Sequence, residues 1–296
     1  MIGEYIWLNG VIVPRDEAKV SVLDHNFVYG DGAFEGLQVV NGGIFKLERH
    51  IDRLYDSTRY LAIDIGMPRD RFIDAVVETA RRNRMHDGYL RPIVSRGAGP
   101  VGIRHMDRLG PATVVIIAQH EEAGRAQALD RGLSAQVVSL RRVPSQCIDA
   151  RVKSCNYINN VLAYLEAKHA GADTAIMLDI AGNVAEGYGS NIFAVRRGRV
   201  VTPALGDILE GITRETVLDL CREAAIPNEE TRLSVYDLLT ADEVFETATL
   251  AEISPIIAVN GRPIGAGKVG PIARRLHAAL RKLMVEGRMS TPVLPS

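Results

Sequence analysis

Arg151-Val-Lys-Ser-Cys-Asn-Tyr157 and Gly182-Asn-Val-Ala-Glu-Gly-Tyr-Gly-Ser-Asn-Ile192 decide how this chain is read, through Lys153 and, thirty-three residues later, Glu186. A lysine amine can form a Schiff base with an aldehyde cofactor. A carboxylate can hold a pyridine nitrogen protonated so that the ring accepts electrons. These are the two jobs that pyridoxal-phosphate chemistry requires. Between them, Ile158, Val161, Leu162 and Leu165 have the i, i+3, i+4, i+7 spacing of an amphipathic helix. Ala172 to Ile180 then reads as a largely buried strand, and Ala181-Gly-Asn183 as its turn. Helix and strand folding back on themselves would bring lysine and carboxylate to one cleft. Taken singly, each residue reads more simply as a solvated surface charge.

The composition suits two modest domains, since 296 residues exceed the usual single-domain size. With 47% hydrophobic and 24% charged residues, the chain can bury a core and keep a soluble surface. A formal net charge of -1 gives no electrostatic reason to expect nucleic acid or an anionic membrane as a partner. No apolar run approaches the roughly 20 residues that span a bilayer. The N-terminus, Met1-Ile-Gly-Glu-Tyr-Ile-Trp7, lacks the basic-then-apolar order of a secretory signal, so a cytoplasmic protein is expected. Cys147, Cys155 and Cys221 are too few for a disulfide framework and lack the clustering of a metal site. Seven scattered histidines form no ligand pair, and no catalytic metal is expected.

Asn9-Gly10 signals a hairpin within residues 4 to 13, and Asn41-Gly-Gly43 another between Leu37–Val40 and Ile44–Leu47. Helices are predicted over 48–62 and 71–84, and strands over 89–95 and 113–119, which makes residues 1–119 a small α/β domain. The polar stretch 120–132 reads as the interdomain loop, and 133–296 as a larger, cofactor-binding domain. That domain is expected to carry a strand at 133–140, a helix at 156–169, and strands near 175–180, 191–195 and 199–202. A helix from Thr213 to Ala225, a strand ending the stretch Thr240 to Glu246, and a helix from near Gly270 follow. Ser290 to Ser296 reads as a loose tail.

Further segments occur in a telling order: Asp31-Gly-Ala-Phe-Glu-Gly36, Arg49-His-Ile-Asp-Arg-Leu54, Tyr89-Leu-Arg-Pro92, the lysine and glutamate segments, Leu209-Glu-Gly-Ile-Thr-Arg-Glu215 and the stretch 241 to 253. From about Trp7 to about Arg275 the chain resembles the fold-type IV (class IV) pyridoxal-phosphate enzymes, most of all the branched-chain amino acid aminotransferases. The resemblance implies an α+β, two-domain fold like that of D-amino acid aminotransferase, with a small N-terminal α/β domain and a larger barrel-like C-terminal domain. It also implies a homodimer or higher homo-oligomer.

The resemblance assigns the cofactor aldehyde to Lys153, the ring's phenolic oxygen to Tyr157 and its nitrogen to Glu186, with Asn191 as that carboxylate's partner. It assigns the phosphate to Arg53, to the amides of Ile212 and Thr213, and to Thr249. Helix N-termini suit phosphate because their free N–H groups and dipole attract anions. As substrate-lining residues it implies Tyr29, Phe34, Gly36, Gln38, Tyr89, Arg91 and Leu250, with Arg91 the partner of a distal carboxylate. Read without it, Thr213 is an ordinary helix cap, Arg53 a solvated helical arginine and Tyr157 a packing residue.

The implied reaction moves an amino group between an L-amino acid, branched-chain or otherwise aliphatic, and 2-oxoglutarate through a Schiff base on Lys153. Freed Lys153 is the natural proton carrier. Three departures from the branched-chain pattern stand out: Gln38 in place of arginine, Leu250 in place of alanine, and no aromatic residue in His120-Glu-Glu-Ala-Gly. Gln38 and Leu250 favour a second reading, an (R)-amine or D-amino acid transaminase or an aminodeoxychorismate-type lyase of the same fold. A non-catalytic ligand-binding module fits least, because the lysine, tyrosine, glutamate and phosphate positions are all present.

Overall fold

The computed structural model describes residues 1–120 and 130–293, so the connection expected at 120–132 lies largely outside them. The chain divides into one unit of Met1–Glu122, Val152–Tyr157 and Leu283–Ser296, and a second of Ala123–Arg151 and Ile158–Lys282.

In the first unit, β1 (Ile2–Leu8) and β2 (Val11–Pro14) form the hairpin expected from Asn9-Gly10. Asn9 (φ 48°) and Gly10 (φ 99°) both take the left-handed backbone that such a two-residue turn needs. The sheet continues with β3 (Gly32–Phe34), β4 (Leu37–Val40), β5 (Gly43–Phe45), β6 (Gly88–Ser95) and β7 (Thr113–His120). The helices Leu47–Tyr60 and Arg69–Arg82 bury Leu47, Ile51 and Leu54, and Phe72, Val76 and Ala80, in a core shared with Leu37, Leu90 and Ile116 of the sheet. The expected loose tail is corrected at its start. Ser290–Pro292 is a strand antiparallel to β5, with Thr291 opposite Ile44, and Val293 is buried in the core. An open sheet edge offers unpaired N–H and C=O groups, and this segment satisfies them.

The lysine segment belongs to this unit because it pairs with β3. The Phe34 N–H donates to the Lys153 carbonyl at 3.0 Å, and the Cys155 N–H to the Gly32 carbonyl at 2.8 Å. Ala33 and Ser154 form an antiparallel bridge between those two bonds.

The second unit contains β8 (Leu133–Arg141), β9 (Thr174–Leu178), β10 (Val184–Gly187), β11 (Asn191–Arg196) and β12 (Arg199–Pro203). It adds β13 (Asn228–Thr231), β14 (Glu243–Ala248), β15 (Glu252–Val259) and β16 (Arg262–Pro263). Pairing runs β10-β9-β8-β15-β14-β11 and returns from β11 to β10, a closed six-stranded barrel with β12, β13 and β16 outside the ring. A barrel has no open edge, and Ile176, Val184, Ile192, Val244 and Ile256 share one apolar cluster. Sequence patterning did not signal β15, because Pro255 interrupts its apolar run, yet Pro255 stands in register with Phe245.

The helix expected at 156–169 forms over Ile158–His169 with its apolar row turned outward. Ile158, Val161, Leu162 and Leu165 are 44–61% exposed, whereas Asn160, Ala163 and Ala167 are buried. The alanines cluster with Val138, Ala175 and Met177, and their small side chains let the helix approach β8 and β9 closely. No helix among the described residues is long and apolar enough to cross a membrane.

Candidate active site

Pairing with β3 turns Lys153 toward an aromatic corner of the first unit. Its Nζ lies 3.5 Å from Tyr157 Oη, 4.5 Å from the Phe34 ring centre and 5.5 Å from that of Tyr157. Phe34 meets Tyr157 edge-on at 5.1 Å. The Lys153 N–H donates to Ser57 Oγ at 3.2 Å, which fixes the backbone beneath the side chain. No carboxylate pairs with Lys153 among the described residues. An amine held by ring faces and one hydroxyl keeps its reactivity, since no ion pair must break before it attacks. Burial pushes the neighbouring Cys155 thiol up to about 11, so it stays a protonated packing group.

Phe34 continues the corner toward Arg91, whose guanidinium carbon sits 4.5 Å over the Phe34 ring and 5.1 Å over that of Tyr89. Gly36 makes this stack possible, because a Cβ there would come within 2.2 Å of Tyr89 Oη. Gln38 is buried in β4 directly opposite Tyr89. Tyr29 ends the short helix His25–Tyr29, half-exposed and edge-on to His25 at 5.0 Å.

Arg53 is not the solvated residue that a lone helical arginine suggests. Its Nε donates to Glu35 Oε1 at 2.6 Å and its Nη2 to Oε2 at 3.0 Å, while His50 Nδ1 lies 2.7 Å from Oε2. Glu35 is fully buried. Burial pushes its carboxyl up, but the charges and hydrogen bonds of Arg53 and His50 outweigh that and hold it well below the usual carboxylate range. Sequence reading missed Glu35 and His50. Their signal was an acidic residue inside the apolar run Gly32–Val40, and a histidine three positions before Arg53 on the helix face that also carries Leu47, Ile51 and Leu54.

In the second unit, antiparallel register sets Glu186 of β10 against Asn191 of β11. Glu186 Oε1 accepts from Arg142 Nε at 2.5 Å. Its Oε2 accepts from the Leu209 N–H at 2.9 Å and lies 3.5 Å from Asn191 Nδ2, which itself donates to the Leu209 carbonyl at 3.0 Å. Close by, Gly211 is the N-cap of the helix Ile212–Glu223, and no side chain caps its first turn. A Cβ on Gly211 would collide with Asn191 Oδ1 at 1.9 Å, so only glycine brings this helix start so near the glutamate. Ile212 and Thr213 are buried in the first turn, and Thr249 and Leu250 are half-buried in the turn joining β14 to β15.

The expected residues thus fall into two groups. Lys153, Tyr157, Arg53, Tyr29, Phe34, Gly36, Gln38, Tyr89 and Arg91 belong to the first unit, and Glu186, Asn191, Ile212, Thr213, Thr249 and Leu250 to the second. The first unit supplies an amine without a carboxylate partner among the described residues, and the second a fixed carboxylate and a helix start with no side-chain cap. That donor set matches the aldehyde, ring nitrogen and phosphate of pyridoxal phosphate.

A family model described as amino-transferase class IV matches residues 32–259. A curated relative, the putative branched-chain-amino-acid aminotransferase of Methanocaldococcus jannaschii, is 44% identical over 94% of this chain and 96% of its own length. The branched-chain-amino-acid aminotransferase of Pseudomonas aeruginosa is 38% identical over 93% of this chain and 91% of its own. Among solved structures, the branched-chain amino acid aminotransferase of Thermobaculum terrenum in its PLP-form superposes with a TM-score of 0.89 at 31% identity, covering 99% of each chain. The resemblance drawn from the motifs and the fold-type IV architecture both hold. A lysine presented to an aromatic corner, a carboxylate anchored by an arginine, a closed six-stranded barrel and this match along most of the length lead to one conclusion: the chain belongs to the class IV aminotransferases and is a pyridoxal-phosphate-dependent transaminase.

Proposed function

We propose that the protein transfers the amino group of an L-amino acid, branched-chain or otherwise aliphatic, to 2-oxoglutarate, with Lys153 as the catalytic amine. The observation that carries this reading is the Lys153 Nζ itself, set among Phe34 and Tyr157 with no carboxylate partner among the described residues. Bound pyridoxal phosphate supplies an electron-accepting ring that stabilises negative charge at the substrate α-carbon. Lys153 is the amine that would hold the cofactor's aldehyde, and it would carry the proton to and from the substrate α-carbon. Tyr157 would donate to the ring's phenolic oxygen, and Glu186, backed by Asn191, would hold the ring nitrogen. The Ile212 and Thr213 amides, Arg53 and Thr249 hold the phosphate.

Arg91 reads the distal carboxylate of glutamate and 2-oxoglutarate, its guanidinium presented by the rings of Phe34 and Tyr89. Tyr29, Gly36, Gln38 and Leu250 shape the rest of the substrate pocket. A cytoplasmic homodimer or higher homo-oligomer completes the reading. Unpaired thiols at Cys147, Cys155 and Cys221 suit a reducing compartment. Exposed apolar side chains at Phe27 and Val28, and on the outward face of the helix Ile158–His169, suit a subunit interface.

Two measurements test this function. The purified protein should be yellow, and borohydride should fix the cofactor to Lys153, whereas Lys153→Ala should lose turnover by at least about 10²-fold, the usual contribution of a positioned proton carrier. Attachment to a different lysine would remove Lys153 from its role. A panel of amino donors against 2-oxoglutarate and pyruvate should then rank leucine, isoleucine or valine with 2-oxoglutarate first. Preference for a chiral amine or a D-amino acid would establish the second reading, in line with Gln38 buried beside Tyr89.

A further inference from the structure

Arg142 follows β8, and its backbone N–H donates to the Leu178 carbonyl of β9 at 2.9 Å, which fixes where its side chain begins. Its neighbour Arg141 is exposed and donates to the Ser139 carbonyl at 3.0 Å. Arg142 instead turns inward, its side chain 13% exposed, to the Glu186 carboxylate, itself 6% exposed. That carboxylate already has the Leu209 amide and the Asn191 side chain on its other oxygen.

A buried ion pair is weak evidence for stability, because desolvating two charges offsets most of their attraction. The arrangement makes sense if the anion must stay in one place and in one ionisation state. We propose that Arg142 is a positioning residue for the reaction: by fixing Glu186 Oε1 and supplying its counter-charge, it biases a proton shared with the cofactor's ring nitrogen toward that nitrogen. The argument is one of distance. A cation touching a carboxylate acts more strongly on it than on a group one hydrogen bond further away, since Coulomb energy falls with separation. Removing Arg142 therefore favours the carboxylate over the nitrogen for the shared proton, and frees Oε1 to rotate. The inference rests on the reading that Glu186 is the partner of the ring nitrogen.

The test loads wild type, Glu186→Gln, Arg142→Met, Arg142→Lys and the Glu186→Gln/Arg142→Met double variant with pyridoxal phosphate labelled with ¹⁵N in the ring. The ring ¹⁵N shift is read across pH, and the cofactor Kd by fluorescence. Glu186→Gln should move the ring signal to the neutral-pyridine position. Arg142→Met should move it part of the way, with cofactor affinity changed less than tenfold, and Arg142→Lys should recover part of the wild-type signal. The double variant should match Glu186→Gln alone, because Arg142 acts only through that carboxylate. If Glu186→Gln shifts the signal while Arg142→Met and Arg142→Lys leave it at the wild-type position, Arg142 is merely structural and the inference fails by itself. An additive double variant also overturns it. An unchanged signal in Glu186→Gln would instead bring down the reading of Glu186, and the inference with it.

Discussion

Each unit holds a largely buried pair in which an arginine Nε meets a carboxylate oxygen, and the proposed function uses the two pairs in opposite ways. Arg53 Nε stands 2.6 Å from Glu35 Oε1, and Arg142 Nε 2.5 Å from Glu186 Oε1. Glu35 is then saturated by a second guanidinium N–H and by His50, deep in its unit. Glu186 takes a single guanidinium N–H and is otherwise held by an amide and, at longer range, an asparagine side chain. In the proposed function Arg53 is the working member of the first pair and Glu35 its support, whereas Glu186 works in the second and Arg142 supports it. An ion pair alone does not reveal which partner acts.

The sharpest way to break this comparison is to neutralise both carboxylates. Glu35→Gln leaves a buried guanidinium without its anion, and removing one member of such a pair costs about 3–5 kcal/mol. Its denaturant midpoint should fall by the corresponding amount. Glu186→Gln should cost less stability, because it breaks one guanidinium hydrogen bond where Glu35→Gln breaks two and the His50 contact. It should nevertheless slow the single-turnover half-reaction roughly ten- to a hundredfold, the worth of one charge-assisted hydrogen bond at about 1.5–3 kcal/mol. Similar stability losses in both variants with normal half-reaction rates would erase the distinction between support and working member.

A third arginine sharpens the comparison because it has no carboxylate at all. Arg91 is stacked on Phe34 and Tyr89, and among the described residues it forms no ion pair. In the proposed function this guanidinium takes the distal carboxylate of the substrate. Arg91→Ala should weaken glutamate and 2-oxoglutarate half-reactions roughly ten- to a hundredfold while leaving leucine much less affected. Equal losses for glutamate, leucine and a simple amine would make Arg91 a general support of the corner. Gln38→Arg should, in the same assay, raise activity toward leucine or isoleucine relative to uncharged amines.

Much of this was legible in the sequence. Asn9-Gly10 gave its hairpin, the 3.6-residue spacing located the long helices, and the ordered motifs gave the fold and the cofactor. What escaped depended on partners distant in sequence. Glu35 and His50 matter because a strand and a helix meet, and Arg142 because the end of one strand reaches a carboxylate on another. Helical spacing revealed Ile158–His169 but not its inner face, since small residues that permit close packing look less hydrophobic than the row that faces outward. Pro255 hid β15, and the free edge of β5 that orders Ser290–Pro292 has no local signal.

The smallest effect expected concerns His50, and it distinguishes the two pairs by pH. Burial lowers the His50 imidazole below its usual 6.5; Glu35 opposes this, and the charges of Arg53 and Lys153 add to the lowering. The folded protein therefore keeps His50 neutral in a range where the unfolded chain would charge it. Because the folded value is depressed, the unfolded state binds more protons, and stability present above about pH 6.5 is lost as pH falls below it. Glu35 has the same sign, but its contribution is lost only below its usual 4.5; between about pH 6.5 and 5 the histidine drives the loss, and buried Glu246, whose carboxyl is raised above its usual 4.5, opposes it. His50→Gln should flatten the fall of Tm across that window, and Glu35→Gln should flatten it mainly below about pH 4.5. Glu186→Gln, whose pair includes no histidine, should keep the wild-type slope between pH 6.5 and 5. Thermal melts of the three variants at half-unit intervals read this directly. A His50→Gln protein that still loses Tm like the wild type in that interval would show that another group carries the acid sensitivity.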